Sequence, residues 1–314
     1  MFLPTMLRAV AISAFLTALP VSAAETASPA TTPLLADKAN FTLPFYLFNG
    51  HILIDGAVNG RQGKLMFDTG TEFPFFLNNH YLPLAKDLKI GEGRAASGQK
   101  MVLYKQQSPI KTIDLAGQIQ LNNLTAVLHT DWSFIEQAYT PFFLGSIGHG
   151  FNRQYLFVID YEAQTIAFHA FNQSKTQPAS VIDPARVAAT LEFTPTGVDG
   201  KMPEVVLRIG NKTIKASFDT GNLGSLELTE AMKNELTAGG ELILTPRTYT
   251  CGQREPHVSA SLNGLNYGPQ ALQDARNLTF KIGKTNQLGL GYHFLKNYIS
   301  VWDYQNSRLT LLRP

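Results

Sequence analysis

Cysteine is almost missing from this chain: Cys251 is the single one in 314 residues. No intramolecular disulfide can form, so the fold must hold on its core alone. The flank Tyr249-Thr250-Cys251-Gly252 fits no local signature of a thiol nucleophile, and Cys251 reads as inert. Charge is sparse too, at 16% of residues, with 26 basic against 24 acidic groups and no basic run longer than two. That leaves nucleic-acid binding without an electrostatic footprint. The seven histidines show no His-x-x-x-His spacing. No phosphate loop and no Gly-x-Ser-x-Gly occur either. No metal and no cofactor is expected.

Long apolar runs are also lacking, except at the start. Arg8 is the only charge before Glu25, and the apolar stretch Ala9 to Val21 follows it. Val21-Ser22-Ala23 and Ser22-Ala23-Ala24 put small residues where a signal peptidase cuts. The run falls short of the ~20 residues that a spanning helix needs. Residues 1–24 therefore read as a signal peptide, rather than as an uncleaved anchor. The expected destination is the periplasm or the medium, with no membrane span once the signal is removed.

What is present is a globular, strand-like chain with 44% hydrophobic residues. Residues 25–40 are rich in Ala, Thr, Ser and Pro and read as a flexible leader. Beyond them, short apolar runs recur between Gly, Asn and Pro signals. His51 to Ile54 leads to Asn59-Gly60, and Lys64 to Phe67 returns from it. Asn-Gly favours a tight hairpin because both residues tolerate positive φ. Thr229 is placed to cap a helix over Glu230 to Leu236.

The chain also repeats itself. Val205 to Ile209, a turn at Gly210-Asn211, and Ile214 to Phe218 retrace the first hairpin. Each hairpin ends in the same tetrapeptide, Phe67-Asp68-Thr69-Gly70 and Phe218-Asp219-Thr220-Gly221, at an offset of 151. Phe75 and Leu77 match Leu226 and Leu228 at that offset. A second match, at an offset of 143, aligns Gly148, Phe151, Tyr155, Val158, Asp160 and Tyr161 with Gly291, Phe294, Tyr298, Val301, Asp303 and Tyr304. His149 and His293 fall one position apart in that alignment and supply too few ligands for a metal site. Asp160 and Asp303 read as turn residues at strand ends.

One Asp-Thr-Gly alone is most simply a structural turn. Two copies at matching places in a duplicated chain point to chemistry. If the turns face one another, two carboxylates a few ångströms apart cannot both ionise easily, and they share a proton. One then acts as general base on a water while the other, protonated, polarises a carbonyl. Gly70 and Gly221 let the backbones come close. Thr69 and Thr220 can bond the opposing turn.

This paired pattern resembles the pepsin/retropepsin group of aspartic peptidases, particularly exported two-lobed bacterial members. Ser146-Ile147-Gly148 and Gly289-Leu290-Gly291 resemble the stretch that packs under each motif in that group. Thr71 follows the first Gly as expected, whereas Asn222 stands where Ser or Thr is usual. Ala95 to Lys100, with Tyr104 nearby, is a candidate flap tip or, equally, an ordinary hairpin.

The resemblance implies a mainly β fold of two similar lobes, related by a pseudo-twofold with a cleft between them. The lobes would cover 41–175 and 191–314, with a connector at 176–190. It implies an endopeptidase with Asp68 and Asp219 catalytic and Thr69, Gly70, Thr71, Thr220, Gly221 and Asn222 in support. The partner would be a polypeptide substrate and the protein a monomer, since one chain carries both aspartates. The rival expectation is a non-catalytic peptide- or protein-binding module on the same fold.

Overall fold

The computed structural model describes residues 39–95, 98–171, 181–196, 202–246 and 258–314. The expected signal peptide, nearly all of the leader, the first third of the connector, Cys251 and the candidate flap tip at Ala96-Ser97 lie outside the described residues. The protein is mainly β, in three sheets, two of ten strands and one of six.

The two ten-stranded sheets repeat one plan. In the first, Phe75–Asn78, Phe143–Ile147, Arg61–Phe67 and His51–Val58 lie side by side in that order. In the second, Ser225–Leu228, Gln287–Leu290, Lys212–Phe218 and Met202–Ile209 do the same. The strand running into each Asp-Thr-Gly pairs in parallel with the strand that ends in the later hydrophobic-Gly element. The expected hairpins form. Asn59 and Gly60 take φ of 50° and 81°, and Gly210 takes 56° in the second copy. Thr229 caps the helix Glu230–Gly239, its hydroxyl accepting the Met232 N–H at 3.3 Å.

The six-stranded sheet draws on both halves of the chain. At its centre Tyr155–Asp160 runs antiparallel to Ile299–Asp303, with Val158 opposite Val301. Those two residues are partners in the sequence repeat. One flank is Thr165–Ala170 paired with Asn40–Pro44, and the other is Arg308–Leu312 paired with Val187–Glu192. Val187–Glu192 begins inside the expected connector, so a regular strand already stands there. Phe157, Phe168 and Trp302 are fully buried on this sheet, and Phe157 stacks on Trp302 at 5.6 Å between centroids. The two motif phenylalanines, Phe67 and Phe218, are buried in the same continuous core. Asp160 and Asp303 act as turn residues: Asp160 accepts from the N–H groups of Glu162 and Ala163, and Asp303 from that of Asn306.

Candidate active site

Each Asp-Thr-Gly leaves its strand into a turn pinned from below. The Asp68 N–H donates to the Ile147 carbonyl at 2.9 Å, and the Asp219 N–H donates to that of Leu290 at 3.1 Å. The glycines that follow those anchors have no room for a side chain. A Cβ on Gly148 would lie 2.3 Å from the Phe73 carbonyl oxygen, and one on Gly291 only 1.8 Å from that of Asn222. So Ser146-Ile147-Gly148 and Gly289-Leu290-Gly291 are the floors of the two turns.

The turns then grip each other. The Thr69 N–H donates to Thr220 Oγ1 at 3.0 Å, and the Thr220 N–H donates to Thr69 Oγ1 at 3.0 Å. The Thr220 hydroxyl also donates to the Phe67 carbonyl at 3.0 Å. All three bonds are buried, where an unmade one would cost about 1–3 kcal/mol. They join residues 151 to 153 positions apart in the chain.

This grip brings Asp68 and Asp219 together. The two carboxyls act on one another, Asp68 pushing Asp219 up and Asp219 pulling Asp68 down. A Cβ on Gly70 would meet Asp219 Oδ2 at 2.7 Å, and one on Gly221 would meet Asp68 Oδ1 at 2.3 Å. Only glycine at those two positions admits the opposite carboxyl. Asp68 is 2% exposed and Asp219 is fully buried.

The two carboxyls differ in what holds them. Asp68 Oδ1 accepts from the N–H groups of Gly70 (2.8 Å) and Thr71 (3.2 Å), and Oδ2 accepts from the Thr71 hydroxyl at 2.7 Å. Asp219 Oδ1 accepts from the Gly221 N–H at 2.8 Å, while Oδ2 completes no hydrogen bond among the described residues, although the Gly70 N–H favours the charge of this carboxyl. Burial pushes Asp68 above the ordinary carboxylate range, against the pull of its bonds from Thr71 and Gly70. Burial and then the charge of Asp68 push Asp219 well above that range. A proton on Asp219 gives the pair one negative charge rather than two, which is the cheaper state in a dry site.

Asn222 explains the difference. Its side chain is turned to its own loop, accepting from the Gly224 N–H at 2.8 Å and donating to Ser225 Oγ at 3.3 Å. In the first half Thr71 faces Ser146, whose hydroxyl lies 3.4 Å from Thr71 Oγ1. The repeat partner of Ser146 is Gly289, and a Cβ there would sit 2.9 Å from Asn222 Nδ2. The larger amide is thus accommodated by a missing side chain. That pairing was present in the sequence at matched offsets.

Sequence reasoning missed His51 and Tyr139. His51 is fully buried, with Nε2 3.2 Å from the Gly221 carbonyl and Nδ1 3.2 Å from the Tyr139 hydroxyl. The sequence marks only the turn ahead of it, a second Asn-Gly at Asn49-Gly50. The strands on either side of the candidate flap, Lys89–Arg94 and Lys100–Lys105, pair antiparallel. Tyr104 stacks on His129 at 5.6 Å. Two surface hollows, of about 80 and 290 Å³, are lined without either aspartate. No cluster of three or more His, Cys, Asp or Glu suited to a metal occurs among the described residues.

The chain's fold is similar to that in the crystal structure of basic 7S globulin from soybean. The TM-score is 0.52 at 12% identity, covering 87% of this chain and 94% of that one. No family model matches the chain, and no curated protein does. These findings correct the family expectation drawn from the motifs. The model of the pepsin/retropepsin group is not matched, and a globulin shares the fold at an identity that speaks for the fold alone. The chain is not assigned to that group.

Proposed function

We propose that the chain is an endopeptidase that hydrolyses peptide bonds with a water activated between Asp68 and Asp219. The observation that carries this reading is the buried pair of closely apposed carboxyls with unequal support on its two sides. Asp68, held by Thr71 and Gly70, is the ionised member and takes a proton from the water. Asp219, protonated, donates to the peptide carbonyl as its oxygen gains charge. The tetrahedral intermediate then collapses as the proton on Asp68 passes to the leaving amine. No covalent enzyme intermediate is involved.

The reading includes an arrangement of the molecule. The two ten-stranded sheets are the bodies of two similar lobes, and a pseudo-twofold passes between Val158 and Val301 and between the facing aspartates. A polypeptide would lie extended in the cleft between the lobes, pairing through its backbone. One chain carries both aspartates, so a monomer suffices. The signal-like residues 1–24 suit a periplasmic or secreted enzyme. No helix among the described residues is long and apolar enough to cross a membrane.

The near-complete burial of both carboxyls favours a second reading, a module that binds peptides or proteins without turnover. One assay separates the two. Asp68→Asn and Asp219→Asn are each compared with the parent chain on a library of unfolded proteins. The peptidase reading expects cleavage by the parent and a loss of about a thousandfold or more in either variant. Cleavage that survives both changes ends it, and a parent that binds peptides without cutting them selects the second reading.

A further inference from the structure

We propose that His51, with Tyr139 fixing its ring, is a positioning residue for the carboxyl pair: it holds the Gly221 turn from the other half of the chain. His51 opens the strand His51–Val58 in the first half, whereas Gly221 belongs to the second Asp-Thr-Gly. Gly221 is the residue whose N–H holds Asp219 Oδ1 and whose missing Cβ admits Asp68. A shift of its carbonyl therefore moves both carboxyls' surroundings at once.

The turn before His51 is shaped for this contact. Asn49 and Gly50 take φ of 49° and 83°, the left-handed pair of a tight hairpin between Tyr46–Phe48 and His51–Val58. A Cβ on Gly50 would lie 2.5 Å from the Tyr292 ring and 2.7 Å from the Leu223 side chain, both in the second half. The hairpin tip is thus seated against the loop that carries Asn222. Tyr139 follows the short helix Ser133–Ala138, and its ring meets that of His51 edge-on at 5.1 Å.

The bonding fixes the state of the ring. The Gly221 carbonyl only accepts, so Nε2 carries the hydrogen. In the neutral ring Nδ1 then accepts, and the Tyr139 hydroxyl donates to it. When the ring takes a second proton, Tyr139 must turn and accept. The Tyr139 hydroxyl bonds this ring, and Asp68 lies near enough to respond to its charge. A positive ring favours ionised Asp68, which is the direction of its effect on that carboxyl.

The test uses the full chain with labelled His and Asp, followed by NMR across pH, and the variants His51→Gln, His51→Leu and Tyr139→Phe. Near neutral pH the parent should show the Nε2–H tautomer at His51, and Tyr139→Phe should give a mixture. His51→Gln keeps an N–H donor for Gly221 but loses the charge. The Asp68 midpoint should then move up, and the acidic limb of kcat/KM should move up with it. At neutral pH the Gln variant should stay within about twofold of the parent, while His51→Leu should lose about tenfold or more in kcat with KM little changed. An Nδ1–H tautomer, or an Asp68 midpoint unmoved in His51→Gln, overturns the proposal. The activity arm rests on the endopeptidase reading. If the parent cleaves nothing, that reading fails, and the two NMR observations still decide the role of His51.

Discussion

Thr71 and Asn222 stand at one position of the repeat, and their difference gives the two aspartates unequal support. A hydroxyl at 71 stabilises charge on Asp68, while Asn222 gives its amide to the Gly224–Ser225 turn. Asn222→Thr should supply Asp219 Oδ2 with the donor it lacks and lower the Asp219 midpoint. The alkaline limb of kcat/KM, which requires protonated Asp219, should then fall to lower pH. An unchanged limb would show that Asp219 is not the acid. Stability carries a related signature. A carboxyl whose folded pKa is raised binds protons more tightly in the native state, so its contribution falls as pH rises above the unfolded value. Asp219→Asn removes that loss while keeping an oxygen for the Gly221 N–H. The variant should match the parent below about pH 3, near the unfolded carboxyl range. With rising pH it should gain on the parent, by about 2–4 °C in Tm for each ~1 kcal/mol relieved. Thermal melts across pH check the sign, and a gap that widens towards acid would reverse it.

At the scale of elements, the closest fits are glycines packed against backbone. Gly291→Ala would drive a Cβ to 1.8 Å from the Asn222 carbonyl oxygen, which cannot swing aside as a flexible side chain would. Denaturant unfolding should show a loss of about 3 kcal/mol or more. A loss below ~1 kcal/mol would mean that the floor of the second turn is looser than described. Much of this was readable from the sequence. The hairpins at Asn59-Gly60 and Gly210-Asn211 and the capped helix at Thr229 follow from local rules of turn and cap, whereas the two floor segments stood out only through the internal repeat and the resemblance. The His51 contact was not readable in that way. It joins residues 170 positions apart, and no local pattern marks a histidine at a strand start as facing a distant carbonyl. The use of Asn222 was half legible: its departure from Thr stood out, but its compensation by Gly289 needs the two loops in space.

Across the whole molecule, the two repeats meet at the six-stranded sheet and at the aspartate turns. Val158 lies opposite its own repeat partner Val301, and Thr69 and Thr220 exchange bonds of equal length. Reciprocity of that kind is what a twofold relation between the halves would produce, and it is the geometric ground for the two-lobed proposal. It also means that neither aspartate has its environment without the other half of the chain. The central claim is that Asp68 and Asp219 act as one proton-sharing unit. NMR titration of carboxyl-labelled aspartate in the parent, Asp68→Asn and Asp219→Asn tests it most directly. The account predicts two linked midpoints in the parent, one well above the ordinary carboxylate range, and a lowered midpoint for Asp219 once Asp68 is made neutral. Two independent midpoints in the ordinary range, each indifferent to the other's replacement, would contradict it.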